Sequence, residues 1–358
     1  MQYFYLLFSF DKPMQSYTIK NTWLWLICFL WLAGAGCGHT VKAPDVSHIP
    51  MTVKIQRFDQ ELFRIDSNAV GDGLKRLSIR YPLFLPVYSE HIVNLGPYSD
   101  SSDVVKHQLR TMLTNRDLRL LQDSVNKHFA KVEPIEQELT QAFKYTRYYL
   151  PDFHAPEVVT FISAIGNYGA ITADGVLGIG LDMYMGANFP VYGMLPDYPA
   201  YMIRKFSPEY IPVNCMLALV QQRYPLAANN TTLIAQMVDA GRQQYFLDKV
   251  LPFTPDTIKT GYTKEQLAWC KDNEQLIWQF FVQQQLLYSS DWQHVSRFLN
   301  DGPTTQGMPG EAPGKIGYFV GWQIVKKYMD RNPQVTLQQL LEIKDPMIIF
   351  NGAKYKPR

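Results

Sequence analysis

The sequence predicts an α+β protein, mostly helical, with a small mixed β-sheet that contains a hairpin. Three observations carry this. Apolar residues recur at helical spacing through long stretches, as in Leu118, Leu121, Val125 and Phe129. Val158–Ile162 is β-branched and apolar, the composition of a buried strand. Asp174-Gly175 separates two further apolar runs, Ile171-Thr172 and Val176–Leu181, and Asp-Gly in that setting is a strong hairpin signal.

The first segment reads as an address. Lys20 precedes the apolar run Trp23–Trp31, which exits through Leu32-Ala33-Gly34-Ala35-Gly36-Cys37. A short apolar run with a small-residue exit is a secretory signal peptide. Cysteine directly after the cut makes residues 1–36 a lipoprotein signal and Cys37 the lipidated mature N-terminus. Met14 starts a better-formed signal than Met1, because Asp11 and an apolar patch stand ahead of the basic residue, so residues 1–13 read as a mis-called extension. Ile19–Ala33 falls short of the roughly 20 residues of a membrane span. An uncleaved anchor is the alternative, and both readings leave the rest of the chain outside the inner membrane. A lipoprotein cysteine carries a diacylglyceryl group and often a third chain. Two chains anchor stably where one is reversible, at about 0.8 kcal/mol per buried methylene. No acidic cluster occupies Gly38–Lys42, which points to the outer membrane, facing the periplasm. Residues 37–50 read as a flexible tether.

Removing residues 1–36 from the 358 leaves 322, and residues 51–358 read as a single globular domain. Its first half, 51–155, is expected to be helical, and its second, 156–358, to combine the sheet with helices. Hydrophobic content of 47% against 18% charged residues indicates a folded globule. A net charge of +2 without a basic run gives no electrostatic footprint for nucleic acid. Of the four cysteines, Cys28 leaves with the signal and Cys37 is acylated. Cys215 and Cys270 could pair in an oxidising compartment, but their apolar helical settings favour two buried thiols.

Met51–Phe58 alternates like a short strand, with Asp59 placed to cap the turn that follows. Helical stripes then run from Gly71 to Leu150, punctuated by Pro82, Pro86, Pro97, Pro134 and Pro151. In the hairpin, Gly178 and Gly180 share one face of their strand and leave room for a close neighbour. Helices return over Pro208–Tyr224 and Thr231–Leu251. Thr263-Lys264-Glu265-Gln266 is a capping-box start of a helix that continues, with a break, to Leu287. Pro303–Pro313 is a Gly/Pro-rich loop long enough to carry a role, and Gly317–Val325 opens another buried helix.

The sequence offers little for catalysis. No two of the seven histidines stand at the i, i+4 spacing of a helical metal site, and there is no phosphate loop or nucleophile elbow. No cofactor is expected. Asp174, Asp182, Glu209 and Asp239 could converge where the hairpin meets the next two helices, as a cleft with acid–base potential. Each also has a plainer reading: Asp174 as a turn residue, Asp182 as a helix N-cap and Glu209 as a first-turn partner of the helix dipole. Tyr318 and Trp322, one helical turn apart, read as core packing or as an aromatic contact surface.

Seven stretches together resemble the gliding-motility lipoprotein B (GldB) family of Bacteroidetes: Ile55–Phe63, Tyr148–Phe153, Leu177–Gly186, Tyr245–Asp248, Gly261–Thr263, Leu287–Ser289 and Pro313–Val325. The resemblance implies an outer-membrane lipoprotein that supports gliding, partnered by other envelope motility proteins and without an established enzymatic activity. The later half is also similar, more faintly, to a gluzincin-type zinc-metallopeptidase scaffold. There the helix Asn214–Val220 would stand where His-Glu-x-x-His belongs, and Asp239-Ala240-Gly241 where an acidic ligand belongs. A catalytic zinc needs three protein ligands, so the likeness implies a scaffold lacking its metal site. A periplasmic hydrolase acting on envelope peptide or cell-wall material is the alternative function.

Overall fold

The sheet is built from segments far apart in the chain. In the computed structural model, which describes residues 43–98, 102–173, 175–225 and 231–357, four strands run in the order β1-β2-β4-β3. They are β1 (Ile55–Gln56), β2 (Glu157–Phe161), β3 (Ala170–Ala173) and β4 (Val176–Gly180). Strand β2 pairs in parallel with β1 and β4, while β3 and β4 form the antiparallel hairpin, Ala173 opposite Val176. Val158 to Phe161 are all buried, as a central parallel strand covered on both faces requires. Gly175 turns the hairpin at φ +81°, a conformation glycine adopts without strain. A Cβ at Gly180 would stand 1.9 Å from the Tyr168 carbonyl oxygen, which is the close neighbour expected there.

The sequence expectation for Met51–Phe58 is corrected in two ways. Only Ile55–Gln56 pairs as strand, because the preceding backbone finds partners on a helix instead: Val53 N–H donates to Thr140 Oγ1 and Ile55 N–H to Glu136 Oε1, both at 2.9 Å. Phe58 already belongs to helix α1 (Phe58–Phe63), whose N-cap is Arg57. Asp59 is therefore not a cap. It is fully buried inside the first turn, accepts from Arg57 at 2.7–3.0 Å, from Gln122 at 2.9 Å and from Thr160 at 2.5 Å, and so joins helix to sheet.

The first half continues with α2 (Val70–Arg80), α3 (Phe84–Val87) continuing as a π-turn (Tyr88–Ile92), α4 (Asp103–Thr114), α5 (Arg116–His128) and α6 (Glu133–Tyr149). Leu121, Val125 and Phe129 are buried and Leu118 packs beside them. An aromatic cluster locks this layer onto the sheet. Phe58 makes edge-to-face contacts with Tyr81, Phe84 and Tyr88 at 4.9–5.1 Å, and Phe84 reaches Phe161 at 5.6 Å.

The second half adds α7 (Ala200–Ile203), α8 (Ile211–Arg223), α9 (Leu233–Val250), α10 (Asp256–Thr260), α11 (Lys264–Asp272), α12 (Glu274–Gln283), α13 (Trp292–Leu299) and α14 (Ile316–Arg331). Helix α8 packs on β3 and against α9. Thr263 forms the expected capping box with Gln266, and the expected break falls at Asn273. Helix α9 is buried on most of its circumference because α14 crosses it closely. The helices absent from the sequence reading include α10 and α13, and also α15 (Leu337–Glu342), opened by a capping box at Thr336, and α16 (Pro346–Ala353), which packs on α14. Cys215 and Cys270 are both buried and free. Ala43–Arg358 forms one compact unit. No described helix is long and apolar enough to cross a membrane.

Candidate functional site

Of the described acidic residues singled out in the sequence, Asp182 and Asp239 are buried, and Glu209 borders a groove that neither of them lines. Among the described residues no three His, Cys, Asp or Glu side chains gather closely enough to hold a metal. Cys37 and Asp174 lie outside the described residues. Glu209 borders a shallow groove with Glu138 and the Val250–Pro255 turn. The other two each have an internal structural role.

Asp182 is not a helix N-cap, as the sequence suggested. It is fully buried in a 3₁₀ turn and binds the loop after β2: Ser163 N–H donates to both carboxylate oxygens at 2.9–3.0 Å, and Ile165 N–H donates at 2.6 Å. That loop holds Ala164, Ile165 and Asn167 at φ of 56–65°. Such conformations cost on the order of 1–3 kcal/mol each for non-glycine residues and persist only when the surroundings fix them. Burial raises the Asp182 carboxyl to about 6, against the lowering effect of the Ile165 and Ser163 bonds.

Asp239 forms an ion pair with Arg242 one turn along α9, and Arg242 donates to the Ile343 carbonyl at 2.6 Å. The pair ties α9 to the end of α15. Asn214, which opens the stretch where the metallopeptidase likeness would place His-Glu-x-x-His, donates its amide to Tyr184 Oη at 2.9 Å.

Tyr318 and Trp322 lead to a more site-like feature. Trp322 belongs to the core and Tyr318 packs against it, and the two share one wall of a cavity. Trp322 is buried, and its Nε1–H donates to Asp248 Oδ2 at 2.6 Å. Asp248 Oδ1 accepts from Lys259 Nζ at 2.6 Å, and Lys259 also meets Asp256 at 3.0 Å. Burial raises the Asp248 carboxyl against the pull of Lys259 and Trp322. Burial opposes the Lys259 charge, but its two carboxylates outweigh it and hold its pKa above the ordinary value. Beside this network lies a cavity of about 70 Å³ between α8, α9, α10 and α14. Gln243 and Gln244 of α9, Lys259, Tyr262, Lys315 and Tyr318 supply its polar lining. Tyr262 Oη–H donates to the Lys315 carbonyl at 3.0 Å, which places Lys315, in a left-handed conformation at φ +58°, at the cavity rim.

Sequence reasoning missed Gln243, Gln244, Lys259 and Lys315 as neighbours. A signal was present all the same. Three of the stretches that carry the family resemblance, Tyr245–Asp248, Gly261–Thr263 and Pro313–Val325, meet at this cavity through Leu247, Tyr262, Lys315, Tyr318 and Trp322.

Comparison with curated proteins and with solved structures gave no match. Comparison with family models did: the model described as gliding motility protein GldB matches residues 39–357, almost the whole chain. The chain belongs to the family of the gliding motility protein GldB.

Proposed function

We propose that the protein is a non-enzymatic lipoprotein of the motility machinery, anchored in the outer membrane through acylated Cys37 and facing the periplasm, where it assembles or supports other envelope motility proteins. The observation that carries this reading is the family match over residues 39–357. The small-residue exit Leu32–Gly36 before Cys37 supports the anchor independently, since it precedes the matched region. The non-enzymatic reading is supported by what the acidic candidates do: Asp182 and Asp239 spend their carboxylates on a strained loop and on Arg242.

The test is genetic. A deletion strain is expected to lose spreading and propulsion of surface adhesins, and the wild-type gene to restore both. A deletion strain that spreads and propels normally overturns the motility role. Cys37→Ala is expected to release the protein from the membrane fraction. Full retention of that variant overturns the lipid anchor. Hydrolysis of envelope peptide or cell-wall material by the purified chain overturns the non-enzymatic part.

A further inference from the structure

The cavity between α9 and α14 carries an inference that does not depend on the motility reading. Its polar lining includes buried amide donors. Gln243 Oε1 accepts from Gln221 Nε2 at 3.2 Å, and Gln243 Nε2 is left without a protein partner. Gln244 Nε2 has none either. The two residues are 5% and 8% exposed, and both line the cavity. A buried N–H without an acceptor forfeits the bond it would make with water. Two on adjacent residues of one wall are a standing cost that an acceptor inside the cavity would relieve.

The other polar groups differ in how far they are committed. Thr260 and Tyr262 donate to the carbonyls of Asp256 and Lys315. Lys259 is held between Asp248 and Asp256. Lys315 is less committed: its nearest carboxylate, Asp301, stands 3.9 Å away and is shared with Lys205. Burial lowers the Lys315 pKa, a cost to its charge that an anion nearby would offset. None of the lining side chains is acidic.

Size and walls narrow the ligand. One water needs only roughly 10–15 Å³, so a cavity of about 70 Å³ has room for a small ligand of several heavy atoms. Two amide donors suit the two oxygens of a carboxylate, and Leu217, Leu247, Phe319 and Trp322 offer apolar surface to a stem. We propose that this cavity binds a carboxylate group on a short apolar stem, with Gln243 Nε2 and Gln244 Nε2 donating to its oxygens and the Lys315 ammonium supplying the counter-charge. A free small carboxylic acid and the carboxy-terminus of a peptide both present that group.

The test is a ligand-observed NMR titration of the full-length protein in detergent micelles, with protein-free micelles as the blank. The probes are propionate, trialanine and trialanine amide. Saturable binding of the acids and none of the amide is expected. Trialanine binding tenfold or more tighter than propionate identifies a chain terminus. Propionate binding as tightly or more tightly identifies a free acid. The double variant Gln243→Met/Gln244→Met is expected to weaken binding about tenfold or more, since hydrogen bonds to a charged group are the stronger kind. Lys315→Gln, at a partly exposed position, gives the same reading if the double variant does not fold. Equal signals from trialanine and its amide overturn the proposal. So does the absence of saturable binding by either acid, or wild-type affinity in a folded variant.

Discussion

Gly321 of α14 lies against the Met237 carbonyl of α9, so that a Cβ built on Gly321 would stand 1.6 Å from that oxygen. The contact is reciprocal: a Cβ on Gly241 would stand 2.2 Å from the Gly321 carbonyl group. Two helix backbones touch at this crossing, and the cavity wall is built around it. Backbone cannot yield as a side-chain tip can, so an added methyl must push the helices apart. Overpacking of this kind typically costs about 1–3 kcal/mol and sometimes more. Gly321→Ala is expected to lose about 3 kcal/mol, read as a lower urea midpoint. An unchanged midpoint would mean that the helices separate freely.

Asp59 is expected to be the most sensitive single polar residue of the first half. Its carboxylate answers Arg57, Gln122 and Thr160 from within the core. Removing one partner of a buried ion pair costs about 3–5 kcal/mol, because the other charge is left stranded. Asp59→Ala is expected to fall in that range by urea denaturation, and the double variant Arg57→Met/Asp59→Ala to recover part of the loss. A single variant within 1 kcal/mol of wild type, a threshold set from the small effects of ordinary surface changes, would contradict the assignment.

A pH signature is expected from Asp182. Burial raises its folded-state value to about 6 from an ordinary 3.8. The proton is therefore held more tightly in the folded state, and this residue's contribution is fully present below about pH 4 and lost as pH rises through 6. At about 1.4 kcal/mol per unit, the stability of wild type relative to Asp182→Asn is expected to rise by about 2 kcal/mol between pH 7 and pH 4. Urea midpoints of the pair across that range check it. A constant difference would show that Asp182 does not titrate as its burial requires.

Trp322→Phe isolates a single hydrogen bond. The ring volume is largely kept, but Asp248 Oδ2 loses its indole donor. A lost bond to a buried charged acceptor is expected to cost about 1.5–3 kcal/mol. Trp322→Phe in an Asp248→Asn background should cost less, and the difference is the coupling between the two residues. Equal costs in both backgrounds would remove the indole from the network.

The sequence by itself determined the local structure. Asp174-Gly175 between apolar runs forced the hairpin, because only a turn with positive φ joins two strands so tightly, and Gly175 supplies it. The capping box at Thr263 and the helical stripe through Val125 were legible for the same reason: each depends on residues within one or two turns. The motif stretches likewise pointed to the family whose model matches residues 39–357. What the tertiary structure decided was non-local. The parallel pairing of Ile55 with Val158 joins residues a hundred positions apart, and no local period announces it. Asp182 reads as a cap by position, yet a loop turning back over it makes it an internal anchor. Gln243 and Gln244 carry no local sign of burial, yet α14 crosses α9 at Gly241 and Gly321 and both glutamines are enclosed. Burial is a property of the neighbours a segment acquires, so the same glutamine is an ordinary polar side chain in the sequence and an unanswered donor in the fold.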